Sequence, residues 1–208
     1  MTTAFVRCAS DGREALHTSG IAAARQAVRK AYREAGRDVA LGSIAIEKDV
    51  SGKPHGYIRG ESSPLAVSIS HSFPFAFATA SVATDVALGA DIERIRDFSP
   101  TTWKAFLTPA EKKAIARAPR AERAYLRTLS WSLKESILKA LGTGLRTHPA
   151  QVDISSALAG DESSPTTFVL SGITHPLEAH HAKIGLDFVA VAIVLPAAFR
   201  YDWGNATS

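Results

Sequence analysis

Three carboxylates and a lysine stand at spacings that could do chemistry. The run Gly89-Ala90-Asp91-Ile92-Glu93 alternates small or acidic residues with apolar ones. On a strand, successive side chains point to opposite faces. Asp91 and Glu93 then share one face, Gly89 adds no bulk beside them, and Leu88, Ala90 and Ile92 point into a core. Two like charges on a largely apolar strand repel, and a cation relieves them. Hard oxygen donors suit magnesium, which takes one or two carboxylates and completes its octahedron with water and phosphate oxygens. Taken alone, the fragment reads more simply as two solvated acids on an exposed face.

Residues 121–141 have the pattern of a long helix. Leu126, Leu129, Leu133, Ile137 and Ala140 form one apolar stripe, the expected core face. Trp131, Glu135, Leu138 and Lys139 fall on a different face, as in the wall of a partly closed cleft. Glu135 and Lys139 are also spaced as an ordinary i,i+4 ion pair, worth only about 0.2–0.5 kcal/mol. Upstream, Val67-Ser68-Ile69-Ser70-His71-Ser72 is an alternating strand ending in hydroxyl, imidazole and hydroxyl. No triad order accompanies it, so anion binding by Ser70 and His71 suits it better than nucleophilic catalysis. A lone histidine is more often structural than catalytic.

Four fragments occur in order: Gly52-Lys53-Pro54, Ser68-Ile69-Ser70-His71-Ser72, Gly89-Ala90-Asp91-Ile92-Glu93, and Trp131-Ser132-Leu133-Lys134-Glu135-Ser136-Ile137-Leu138-Lys139-Ala140. Together they resemble the 4′-phosphopantetheinyl transferase superfamily, in its longer class with two fused half-domains. The matched motifs span residues 52–140. The resemblance implies an α+β fold of two pseudo-twofold-related halves, each a helix packed on a small, mainly antiparallel sheet. Residues 1–84 would form the first half and 85–208 the second, with the metal site in the second.

The resemblance also implies an activity and a division of labour. The enzyme would move the 4′-phosphopantetheine arm of coenzyme A onto a serine hydroxyl of an apo acyl, polyketide or peptidyl carrier protein, releasing adenosine 3′,5′-bisphosphate. Asp91, Glu93 and Glu135 match the positions that hold Mg2+, or Mn2+ in its place. Glu135 also matches the general base. Lys139 matches a phosphate-binding lysine, and Lys134 lies near enough to assist. Lys53, Ser70 and His71 match positions that cradle the 3′-phosphate and pyrophosphate of coenzyme A. The N-terminal half is short for the longer class. Arg7, Arg13, His17 and Arg25 are the candidate substitutes there, and none can be assigned to the 3′-phosphate.

These residues need elements to hold them. The pattern predicts strands over 4–8, 39–48, 65–70, 75–83 and 86–95, a helix over 20–36, and a turn at 49–54. Thr108-Pro109-Ala110-Glu111 reads as a helix start with cap, first-turn proline and early acid. Gly142-Thr143-Gly144 stops the long helix. Short strands follow at 152–154, 167–170 and 188–195, around a polar loop at 155–166, with a loose tail after 200. A helix and then strands ending in an apolar hairpin occur in each half.

The 208 residues carry a net charge of +4. That suits an anionic partner without naming one. The basic residues are scattered and not interleaved with aromatics, which argues against a nucleic-acid-binding module. A silent carrier-binding scaffold of the same fold is the other rival, and the presence of all three acids and Lys139 argues against it. No G-x-x-x-x-G-K-[ST] loop is present, which removes the common nucleotide-hydrolase design. No apolar run nears the roughly 20 residues of a membrane span. Cys8 is the lone cysteine, read as packing in a first strand. A monomer in the cytoplasm is the expectation.

Overall fold

The computed structural model describes residues 1–50, 52–61, 64–158 and 166–197. Strand β1 (Thr2–Arg7) leads into helix α1 (Arg13–Glu34). Strands β2 (Ile44–Lys48), β3 (Pro54–Ile58), β4 (Leu65–Ser72) and β5 (Phe75–Ser81) follow. All neighbours are antiparallel, in the order β1-β5-β4-β3-β2. The chain then enters β6 (Val86–Arg94), helices α2 (Pro100–Phe106), α3 (Pro109–Arg117) and α4 (Arg123–Ala140), and strand β7 (Val152–Asp153). It ends with α5 (Ser155–Leu158), β8 (Thr167–Leu170), β9 (Ile173–Pro176), β10 (Glu178–Ile184) and β11 (Phe188–Pro196). The second sheet runs β10-β11-β6 and the third β7-β8-β9.

Helix α1 lies close on the first sheet because its inner face is mostly alanine. Ala23, Ala24, Ala27 and Val28 are fully buried against Val67, Ala76, Ala78 and Ala80. Helix α4 presents larger groups. Leu129, Leu133, Ile137 and Leu138 pack on Val189, Val191, Ile193 and Leu195 of β11 and on Val152, Phe168 and Leu170. Each such side chain contributes roughly 1.5–3 kcal/mol of apolar burial. A third cluster joins the sheets, with Phe77 of β5 against Ala90 and Ile92 of β6 and Phe188, Ala190 and Ala192 of β11. Strand β6 also hydrogen-bonds across to β4, where Ala90 N donates to Ser68 Oγ at 2.9 Å. No described helix is long and apolar enough to cross a membrane.

Several elements depart from the sequence pattern. Helix α1 begins at Arg13, well before residue 20. Residues 41–43 form a 3-10 turn, so β2 occupies only the end of 39–48. Strands β3, β9 and β10 carry no clear alternation of apolar residues. β3 holds a proline and a glycine, and β10 is an exposed edge with Glu178, His180, His181 and Lys183. Such composition is how natural edges avoid further pairing, and it hides the strand from a pattern reading. Helix α5 occupies the start of the polar segment 155–166; its residues 159–165 lie outside the described residues, as does the tail after 200. Leu138, read as a cleft residue, is fully buried in the α4 core.

Candidate active site

Strand β6 passes against the backbone of α4 at one point. A Cβ added at Gly89 would lie 1.8 Å from the Ser136 carbonyl oxygen. Only glycine fits there. This contact places Asp91, two residues further along the same strand face, beside α4.

Asp91 is 3% exposed and held on both oxygens. Oδ1 accepts from Ser70 Oγ of β4 and from Lys139 Nζ of α4, each at 2.8 Å. Oδ2 accepts from Ser132 Oγ at 2.8 Å. Three elements therefore converge on one carboxylate. Lys139 Nζ also donates to the Ala90 carbonyl at 3.0 Å and lies 4.0 Å from Glu135 Oε2, the outer limit of an ion pair. Glu93 accepts from the Trp131 indole N–H at 3.1 Å. Trp131 packs edge-on against Phe106.

The electrostatics are those of acids short of a cation. Burial, and then the charge of Asp91, raises the Glu93 carboxyl to about 7. Burial also raises Glu135, with Lys139 opposing and Asp91 adding to the shift. Among the described residues, no group of three or more His, Cys, Asp or Glu side chains gathers closely enough to hold a metal ion. Magnesium does not require three, because one or two carboxylates suffice when water and phosphate supply the rest. Asp91, Glu93 and Glu135 therefore do not gather as the three-acid set expected from the sequence, while the donor chemistry of a pair of them fits such an ion. The cation on Asp91 in this structure is the Lys139 ammonium.

A cavity of about 550 Å3 opens beside these groups. Its polar lining is His17 of α1, Lys48 of β2, Ser70 and His71 of β4, and Lys139; Ile21 and Ile46 are among its apolar lining. Such a mix of apolar wall and convergent polar groups is typical of a small-molecule site. A second cavity of about 240 Å3 adjoins it at Lys139 and is lined by Lys53, Ser68 and Leu88.

The structure sorts the expected site residues. It brings together Ser70, Asp91, Glu135 and Lys139, with Glu93 at the edge and His71 on the cavity wall. Lys53 lines the smaller cavity and not the larger. Its ammonium donates to the Ala140 carbonyl at 3.4 Å, tying the β2–β3 connection to the end of α4, and burial lowers its pKa. Lys134 corrects the sequence reading. It is fully buried, with Nζ bound to Glu111 Oε2 at 2.8 Å, Phe106 O at 2.8 Å and Pro149 O at 3.1 Å. Adjacent helical positions do not share a face. Glu135 faces the site, so Lys134 faces α3 and cannot reach a phosphate.

Sequence reasoning missed Ser132 and Lys48. Ser132 lies three residues before Glu135 in the helix motif, a spacing that puts both on one face. Lys48 shares a strand face with Ile46, two residues earlier, and ends the strand.

The family model of the 4′-phosphopantetheinyl transferase superfamily matches residues 87–194, just over half of the chain, and the chain belongs to that superfamily. By family it is a phosphopantetheinyl transferase. Among solved structures it is similar to a holo-(acyl-carrier-protein) synthase from Bacillus anthracis str. Ames in complex with CoA (3′,5′-ADP). The identity is 18% and the TM-score 0.46, over 55% of this chain and 99% of that one. It is also similar to Thermotoga maritima holo-[acyl-carrier-protein] synthase, at 20% identity and TM-score 0.42, over 54% of this chain and 64% of that one. No curated protein sequence matches the chain.

Proposed function

We propose that this transferase moves 4′-phosphopantetheine from coenzyme A to the serine hydroxyl of an apo acyl, polyketide or peptidyl carrier protein. The observation that carries the reading is the convergence of Asp91 and Glu135 on Lys139, which lines the large cavity, in a chain of this superfamily. Coenzyme A would occupy that cavity, with Lys48, His71 and Lys139 near its anionic groups and the apolar wall along the rest. Adenosine 3′,5′-bisphosphate would leave from it.

The reaction breaks the pyrophosphate bond and forms a phosphodiester to serine. It needs charge neutralisation on phosphoryl oxygens and a base for the serine proton. Lys139 supplies positive charge at the phosphates. Glu135, half-buried and raised in pKa, accepts the proton. A pair of the three acids, Asp91 with Glu135 or Glu93, would hold Mg2+, or Mn2+, which supplies Lewis-acid stabilisation of the diphosphate when bound. Ser70 and Ser132 keep the Asp91 carboxylate oriented.

The acceptor is acidic on this reading. Residues 94–127 carry nine lysines and arginines against three acids, a net of +6 in a chain of +4. Arg94, Arg96, Lys104, Lys113, Arg117 and Arg120 are exposed there. A division into halves at 84/85 belongs to the same reading, supported by cores drawn from residues 8–80 and 129–195. Both halves lie in one chain, which supports a monomer, working in the cytoplasm.

Incubation with coenzyme A, Mg2+ and an apo carrier should add the mass of one phosphopantetheine arm to the carrier. Glu135→Gln should slow that gain by about 10²–10⁴-fold, the usual worth of a general base, with the fold intact by circular dichroism. A near-normal rate in that variant refutes the role of Glu135.

A further inference from the structure

The Lys139 ammonium sits on the carboxylate that the proposed metal site most needs. Nζ is 2.8 Å from Asp91 Oδ1, and Asp91 has one acceptor position left after Ser70, Ser132 and Lys139 are counted. A divalent cation cannot share that oxygen with an ammonium, because the two positive charges would meet in a half-buried site. One must leave. Asp91 is fixed by two hydroxyls from different elements. Lys139 ends a flexible four-carbon stem, keeps 27% of its side chain exposed, and borders both cavities.

We propose that Lys139 is an exchangeable cation: it neutralises Asp91 while the metal is absent, and metal binding displaces it into the large cavity, where it meets the phosphates. Metal entry would then complete the phosphate site, so that the two ligands bind cooperatively through one side chain. Linkage makes the effect reciprocal. A phosphate group that draws Lys139 away uncovers Asp91 for the metal. The metal-free chain, in turn, avoids an unpaired buried carboxylate. This rests on the metal reading above but not on the carrier.

Two measurements test it, both without coenzyme A. In the first, the native chain is pulse-labelled with acetic anhydride, with and without saturating Mg2+, and the acetylation of each lysine is read by peptide mass spectrometry. Labelling of Lys139 should rise at least about fivefold with Mg2+, relative to Lys48 and Lys113. Unchanged or reduced labelling overturns the exchange. In the second, Mg2+ is titrated calorimetrically into the native chain, Lys139→Gln and Lys48→Met. Glutamine keeps a hydrogen-bond donor for Asp91 without the charge. Lys139→Gln should bind Mg2+ at least about fivefold more tightly than the native chain, and Lys48→Met, which removes a cavity charge that does not touch Asp91, should change it much less. Equal effects of the two substitutions overturn the exchange and leave the transfer reaction standing. No Mg2+ binding in any of the three overturns the metal reading with it.

Discussion

Glu93 is the residue whose protonation the site most perturbs. Its carboxyl moves from the ordinary 4.5 to about 7, through burial first and the charge of Asp91 second. The folded chain therefore holds a proton on Glu93 that the unfolded chain has lost between pH 4.5 and 7. In that window the metal-free fold loses stability from this group as pH rises, by about 3 kcal/mol in total. The full contribution is present below pH 4.5 and gone above pH 7. Urea unfolding in chelator at pH 5 and pH 8 should show that loss in the native chain and not in Glu93→Gln. On the metal reading proposed above, the stabilisation given by added Mg2+ should grow over the same interval, because the cation would need the deprotonated carboxylate.

At the scale of elements, α4 is positioned by an ionic knot on its far side. Lys134 and Glu111 form an ion pair with both side chains fully buried. Glu111 also accepts from Thr108 N at 2.8 Å, closing the capping box of α3, and from Ile154 N at 2.8 Å. The pair links α3, α4 and the approach to β7. Removing one partner strands the other, so Lys134→Met should cost about 3–5 kcal/mol in a denaturant titration. Its kcat/KM per folded molecule should fall far less than that of Glu135→Gln, because Lys134 lines neither cavity. The helix motif showed which residues α4 carries; it did not show which way each one faces. Trp131, Glu135 and Lys139 were legible because their spacing sets them off from the apolar stripe. Lys134 was not, because a buried lysine is readable only from the partner that buries with it, here Glu111, 23 positions earlier in sequence. Strand β6 and the cap of α3 were legible from local chemistry. Strands β9 and β10 were not, because their faces are largely exposed and no burial pattern marks them.

For the whole molecule, charge is unevenly spread. The helical excursion between β6 and the middle of α4 holds a net +6, which leaves the remainder at −2. This corrects the reading of the basic residues as scattered; bulk composition hid it, since the chain as a whole is only mildly basic. Aromatic rings brace part of the basic surface: Arg96 lies over Phe98, and Arg127 over Trp103. On the proposed function, an acidic carrier would be attracted to this side of the molecule. The apparent KM for a carrier should rise with ionic strength, while binding of a neutral pantetheine analogue should not. Reversing Lys113, Arg117 and Arg120 to glutamate should raise the carrier KM at least about tenfold and leave kcat within about twofold, as steady-state kinetics would record.

The empty side of Gly89 has a consequence for how β6 finds its place. A strand slipped by one residue turns its acids into the core and is rejected by their charge. A slip of two keeps every side chain on its proper face, so hydrophobic alternation cannot detect it. It would, however, drive the methyl of Ala87 or the carboxylate of Asp91 into the Ser136 carbonyl, where no atom fits. One missing methyl group thus proofreads the threading of the strand, and Asp91 and Glu93 reach α4 in a single alignment.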